Sequence, residues 1–207
     1  KIFIPIPIYW AVYMQHGSRF VFQATRMNCD LGFYQVKPDQ LVALNPVFVV
    51  LLVPLCTHII FPIMTKLKFD SLLKRVAIGY LLCCFGFGMS LFVEFKIQKN
   101  FISVLWIMPQ FALLSLSEIF IFASLLNFSY SEAPSNMKSV MSACVSITVA
   151  LGNLIISIIS GLKLFDLHIY EMSFYIILMM IAMVLFIILA SRYHHTEDET
   201  VTENEEN

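Results

Sequence analysis

Glu118 is the side chain best placed to do chemistry. It is the one charge between Phe101 and Ser131, with 17 apolar or neutral residues before it and 13 after. A carboxylate at such depth in an apolar helix costs at least about 2.5–3.5 kcal/mol on insertion scales, so it must face a cavity or a partner. There it can hold a substrate cation or a proton. The plainer alternative is a structural carboxyl bonded to a neighbouring helix. Asn45 precedes Pro46 at the start of another apolar run. Its amide can serve a polar ligand, or it can simply cap a helix, since Asn suits the cap and Pro the first turn. Trp10 sits in a third apolar segment, where physics alone favours the membrane interface over a pocket. The remaining reactive residue types offer less. Cys29, Cys56, Cys83, Cys84 and Cys144 form no CxxC pair and read as small buried apolar residues. His194-His195 reads as a solvated pair. No GxGxxG, Walker, HExxH or GxSxG motif occurs, so no enzyme class is indicated. A net charge of −1 provides no basic footprint for nucleic acid.

The elements that must position these residues are membrane helices. The chain has 207 residues, 59% hydrophobic and 13% charged, against about 25% charged in a soluble domain. Its mean hydropathy is +0.81. A hydrocarbon core of about 30 Å takes roughly 20 residues of helix. Six segments are predicted to span it: 2–15, 41–65, 76–93, 101–131, 139–162 and 172–191. One small soluble core could not bury six such helices on all sides, and helix satisfies the backbone in lipid. The fold class is therefore an all-α membrane protein. Short polar connections are expected at 17–40, 66–75, 94–100, 132–138 and 163–171. Residues 1–193 are expected to form the bundle. The acidic tail 194–207, with TEDETVTENEEN, is expected to be disordered. No signal peptide opens the chain, and its start, within a hydrophobic stretch, reads as internal to a larger protein. With the tail placed in the cytoplasm, about 7 Lys and Arg lie inside and 6 outside. The totals barely differ, but the dense cluster from Lys66 to Arg75 favours that orientation.

Several blocks carry a family resemblance. PIPIYWAVYMQHGSRFVFQATRM resembles the seventh transmembrane region of the proton-coupled oligopeptide transporters (solute carrier family 15 in animals). PDQLVALNP followed by VPL resembles the start of helix eight. MPQFALLSLSEIF and NFSYSEAPSNMKSVMSACVSITVALGNLI are similar to helices ten and eleven and their joining loop. The match spans nearly all of 5–155, and the QHGSR and SYSEAPSNMKSV blocks are specific. The resemblance implies a major-facilitator fold, with this chain as the C-terminal half, equivalent to helices seven to twelve. It implies symport of di- and tripeptides with protons across what would be the plasma membrane. The partners would be the peptide, the proton, the bilayer and an N-terminal six-helix half. The coupling ion would be the proton, with no other cofactor and no metal. By the same resemblance, Glu118 matches the glutamate that binds the peptide amino terminus and Asn45 an asparagine that bonds the peptide. Trp10 matches a tryptophan lining a side-chain pocket, and Tyr13 joins it as a substrate-site residue.

The departures from the family pattern are specific. Met14 stands where animal members usually have an acidic gating residue. Phe122 replaces a small hydroxyl residue and Val145 a pocket tryptophan. FKIQKN stands where animal members usually carry a large extracellular domain. The ExxERFxYY motif of the first helix belongs to the other half. Two alternatives follow: a member with a shifted small-molecule substrate, supported by Phe122 and Val145, or a membrane protein that does not transport.

Overall fold

A computed structural model of the chain describes residues 2–32, 34–66, 71–133, 137–161 and 168–205. Among them the regular structure is helical apart from two isolated β-bridges, Asn28 with Ser103 and Asp30 with Gln35. Helix α1 (Ile6–Tyr13) passes through a 3₁₀ turn, Met14–Gly17, into α2 (Arg19–Ala24). A second 3₁₀ turn, Pro38–Ala43, leads into α3 (Leu44–Leu55). A π turn, Cys56–Ile60, then joins α3 to α4 (Phe61–Lys66). Four longer helices follow: α5 (Leu72–Lys99), α6 (Met108–Glu132), α7 (Lys138–Gly161) and α8 (His168–Glu205).

Among the described residues, five helical stretches are long and apolar enough to cross a membrane: Pro38–Lys66, Leu72–Lys99, Val104–Ser131, Lys138–Gly161 and His168–Tyr193. The first expected span differs. Instead of one helix over 2–15, the chain forms α1, a 3₁₀ turn and α2, so part of the expected connection 17–40 is helical. Gly17 and Ser18 sit at the break, and both are weak helix formers. The expected helix at 76–93 extends to Lys99, and Glu94 is buried inside the bundle instead of opening a loop. Its partner explains this. Arg26 bonds both Glu94 oxygens, at 2.6 and 2.7 Å. Helix α8 runs to Glu205. No Gly or Pro interrupts that stretch, and glutamate is a good helix former. The expected connections at 66–75, 132–138 and 163–171 fall partly outside the described residues, at 67–70, 134–136 and 162–167.

Helix α5 packs on α6 and α8, α1 on α7 and α8, and α3 on α6. Small residues set the closest approaches. A Cβ on Gly79 of α5 would collide with Ile121 and lie 3.2 Å from the Ser117 carbonyl oxygen of α6. A Cβ on Gly152 of α7 would lie 2.7 Å from the Pro7 carbonyl oxygen and 2.9 Å from the Ala11 nitrogen of α1. In lipid, where no hydrophobic force drives helices together, such backbone approaches supply the packing. The π turn lies between Pro54 and Pro62, neither of which has an N–H to donate. Aromatic rings fill the core: Tyr9, Tyr13, Phe20, Tyr80, Phe87, Phe111, Tyr175 and Phe186 are fully buried.

Candidate functional site

Three elements bring the polar groups together. Helix α6 carries Ser115, Ser117 and Glu118, α1 carries Tyr9, Trp10 and Tyr13, and α3 carries Asn45. The Tyr13 hydroxyl donates to Glu118 Oε2 at 2.5 Å. Asn45 Nδ2 donates to the Tyr13 hydroxyl oxygen at 2.8 Å and reaches the same Glu118 oxygen at 3.2 Å. The orientation of the Asn45 amide follows from the network. The Glu118 carboxylate only accepts, so the NH₂ end turns toward it, which leaves Oδ1 to accept from Ser115 Oγ at 2.7 Å. One turn of α1 away, Tyr9 pairs with Ser117 Oγ at 2.9 Å, and Ser117 donates to the Gly79 carbonyl at 2.6 Å. A hydroxyl relay thus ties α1, α5 and α6 beside the carboxylate.

Asn45 is not a helix cap: α3 begins at Leu44, and the Asn45 side chain reaches across to α1 and α6. Trp10 is 3% exposed, not spread at an interface. Its ring meets Tyr9 at 5.2 Å, Tyr13 at 5.6 Å and Phe122 at 6.2 Å, all edge-on. Its Nε1 is buried without a hydrogen-bond partner. Glu118 and Asn45 are each half-buried, so the carboxylate meets its neighbours yet keeps an open side. Of the departing residues, Met14 packs partly buried against the core, Val145 is buried, and Phe122 is 43% exposed.

Sequence reading missed Ser115, Ser117 and Tyr9. Ser115 lies three residues before Glu118 and so on its face of α6. A hydroxyl at that spacing from an intramembrane acid was the available signal. It also missed the polar ties at one end of the bundle. There Gln23 Nε2 donates to the Ser90 carbonyl at 2.8 Å and to Glu94 at 3.1 Å, and Arg19 pairs with Glu171 at 2.5 Å. Among the described residues no group of three or more His, Cys, Asp or Glu is placed to hold a metal.

An acid and an amide converging at mid-helix in a helical bundle, with apolar spans around them, define an integral membrane protein with an intramembrane polar site. Residues 1–166 match the model of the POT family, and the chain belongs to that family. It is similar to solute carrier family 15 member 2 of Homo sapiens, 40% identical over 100 residues, 47% of this chain and 14% of that protein. It is also similar to peptide transporter family 1 of Drosophila melanogaster, 36% identical over 99 residues, 48% of this chain and 13% of that protein. Among solved structures, an auto-inhibited POT family peptide transporter superposes with a TM-score of 0.81 at 24% identity, over 93% of this chain and 40% of that one. A POT peptide transporter in complex with alafosfalin superposes with a TM-score of 0.75 at 19% identity, over 93% and 39%. At these identities the superpositions establish the fold. The relatives are transporters and not enzymes. The chain spans about two fifths of the solved structures it matches, and its aligned part covers about one seventh of the curated relatives.

Proposed function

We propose that this chain supplies the amine-binding wall of a proton-driven di- and tripeptide transporter, as its C-terminal six-helix half. The carrying observation is the half-buried Glu118 carboxylate at mid-helix, oriented by Tyr13 and Asn45. A peptide ammonium facing that group gains a charge-assisted hydrogen bond. Tyr13 and, packed edge-on against it, the buried Trp10 back that carboxylate, and Asn45 offers an amide to the peptide. The family match and the relatives named as peptide transporters support the substrate class. Proton coupling, the plasma membrane and a cytoplasmic tail belong to the same proposal. They are supported by the resemblance and by the basic cluster from Lys66 to Arg75.

The test is Glu118→Gln in the full-length protein, with binding of a free-amine dipeptide and its N-acetylated form measured side by side. Glutamine keeps the shape and loses the charge. Leaving a desolvated ammonium unpaired typically costs about 2–5 kcal/mol, roughly 30-fold or more in affinity. The free-amine dipeptide is expected to lose that much and the acetylated one little. Equal losses for both would assign Glu118 a purely structural role.

A further inference from the structure

We infer that Phe122 is a specificity-determining residue: its exposed ring, braced by Trp10, forms a shelf that favours an aromatic side chain on a bound peptide's first residue. The inference rests on Glu118 being the amine-binding group, and it adds which side chain accompanies that amine.

The geometry begins on α6. Phe122 follows Glu118 by four residues, so it projects from the same helix face one turn further along, roughly 5.4 Å away. It is 43% exposed, and Glu118 is itself partly exposed. In the other direction, one turn before Glu118, Ser115 is fully buried and occupied with Asn45. Of the residues one turn from Glu118 on this face, Leu114, Ser115 and Ile121 are buried and Phe122 is exposed. A peptide's ammonium and first side chain branch from the same carbon. An ammonium on Glu118 must set that side chain within a few ångströms, against the next turn.

The shelf is rigid. Phe122 meets Trp10 edge-on, with ring planes 79° apart. Trp10 is in turn wedged by Tyr9 and Tyr13 on its own helix and backed by Gly152 of α7, where an added Cβ would fall 2.6 Å from the Trp10 Cβ. A ring held this way loses little freedom when a ligand stacks on it. Aromatic pairs of this kind shift affinity by roughly 2- to 12-fold beyond simple burial. An anionic first side chain would meet the negative face of the Phe122 ring.

The experiment compares Phe-Ala, Ala-Ala and Ala-Phe binding to full-length wild type, Phe122→Ala, Phe122→Leu and Glu118→Gln. The readout is the ratio of Phe-Ala to Ala-Ala affinity. Wild type is expected to favour Phe-Ala by roughly 2- to 12-fold. Phe122→Ala is expected to bring the ratio near one, and Phe122→Leu to leave it in between. The ratio of Ala-Phe to Ala-Ala should not follow. A Phe-Ala preference that survives Phe122→Ala, or one that moves equally for Ala-Phe, overturns the shelf. If in that case Glu118→Gln weakens all three peptides but spares N-acetylated Ala-Ala, the amine-binding reading stands and only the shelf falls. If wild type binds none of the three peptides, the amine-binding reading fails first.

Discussion

At the scale of single residues, one oxygen connects three helices. Tyr13, from α1, donates to Glu118 Oε2 of α6 and accepts from Asn45 of α3. Removing the hydroxyl deletes a bond to a carboxylate, and bonds to charged groups contribute about 1.5–3 kcal/mol. Tyr13→Phe is expected to destabilise the protein by about that much in thermal melting. Because Tyr13 and Asn45 share one acceptor and bond each other, their effects should not add. A double-mutant cycle of Tyr13→Phe and Asn45→Ala is expected to give a coupling of roughly 0.5–3 kcal/mol. Strict additivity would show that the three groups do not act as one unit. The acid itself was legible in the sequence, because an isolated charge in a 31-residue apolar stretch has few explanations in lipid. Its neighbours were not. Ser115 and Ser117 are small hydroxyls of a type common in membrane helices, and only the three-dimensional crossing of α1, α3 and α6 gives them partners.

At the scale of elements, the apolar periods that locate the helices do not fix how closely they approach. The two α7–α1 and α5–α6 crossings depend on glycines whose missing Cβ atoms leave room for backbone. Gly152→Ala would push a methyl against the Trp10 Cβ, the Pro7 carbonyl and the Ala11 nitrogen. Backbone atoms cannot move aside as a flexible side-chain tip can, so overpacking of about 1–3 kcal/mol is expected. Gly88→Ala in α5 is the contrasting case. Nothing lies within 4 Å of its added Cβ, and alanine favours helix over glycine by about 0.5–1 kcal/mol. Melting temperatures should therefore fall for the first and stay level or rise for the second. Equal shifts for the two would remove the close approach as the cause. Five of the six expected spans were legible because length and composition alone mark a span, and the one over 2–15 was not. The break at Gly17-Ser18 and the burial of Glu94 were not, because both follow from tertiary partners. Arg26 lies 68 residues from Glu94, and no local pattern joins them.

At the scale of the whole molecule, burial is uneven among the apolar helices. The apolar windows of α5 and α6 are each 50% buried, whereas that of Pro38–Lys66 is 11% and that of α7 is 22%. The exposed apolar residues of those two elements, such as Val50 and Leu51 of α3 and Ile147 and Leu154 of α7, must meet lipid or other protein. Asn45 lies at the start of α3, on the margin of that unpaired surface. A transport site at the midplane between two halves needs a second wall to close off one side while the other opens. Glu118, Asn45 and Phe122 are all partly exposed, and on the half-transporter proposal the wall that would close over them belongs to the other half. The 207-residue chain, reconstituted alone in liposomes under an inward pH gradient, is therefore expected to show no labelled dipeptide uptake above protein-free vesicles. The full-length protein under the same gradient is expected to accumulate it. Collapsing the gradient with a protonophore should abolish that accumulation if protons drive it. Concentrative uptake by the isolated chain would mean that a complete pathway forms from these helices, for instance by pairing of two copies, and the half-transporter reading would have to be given up.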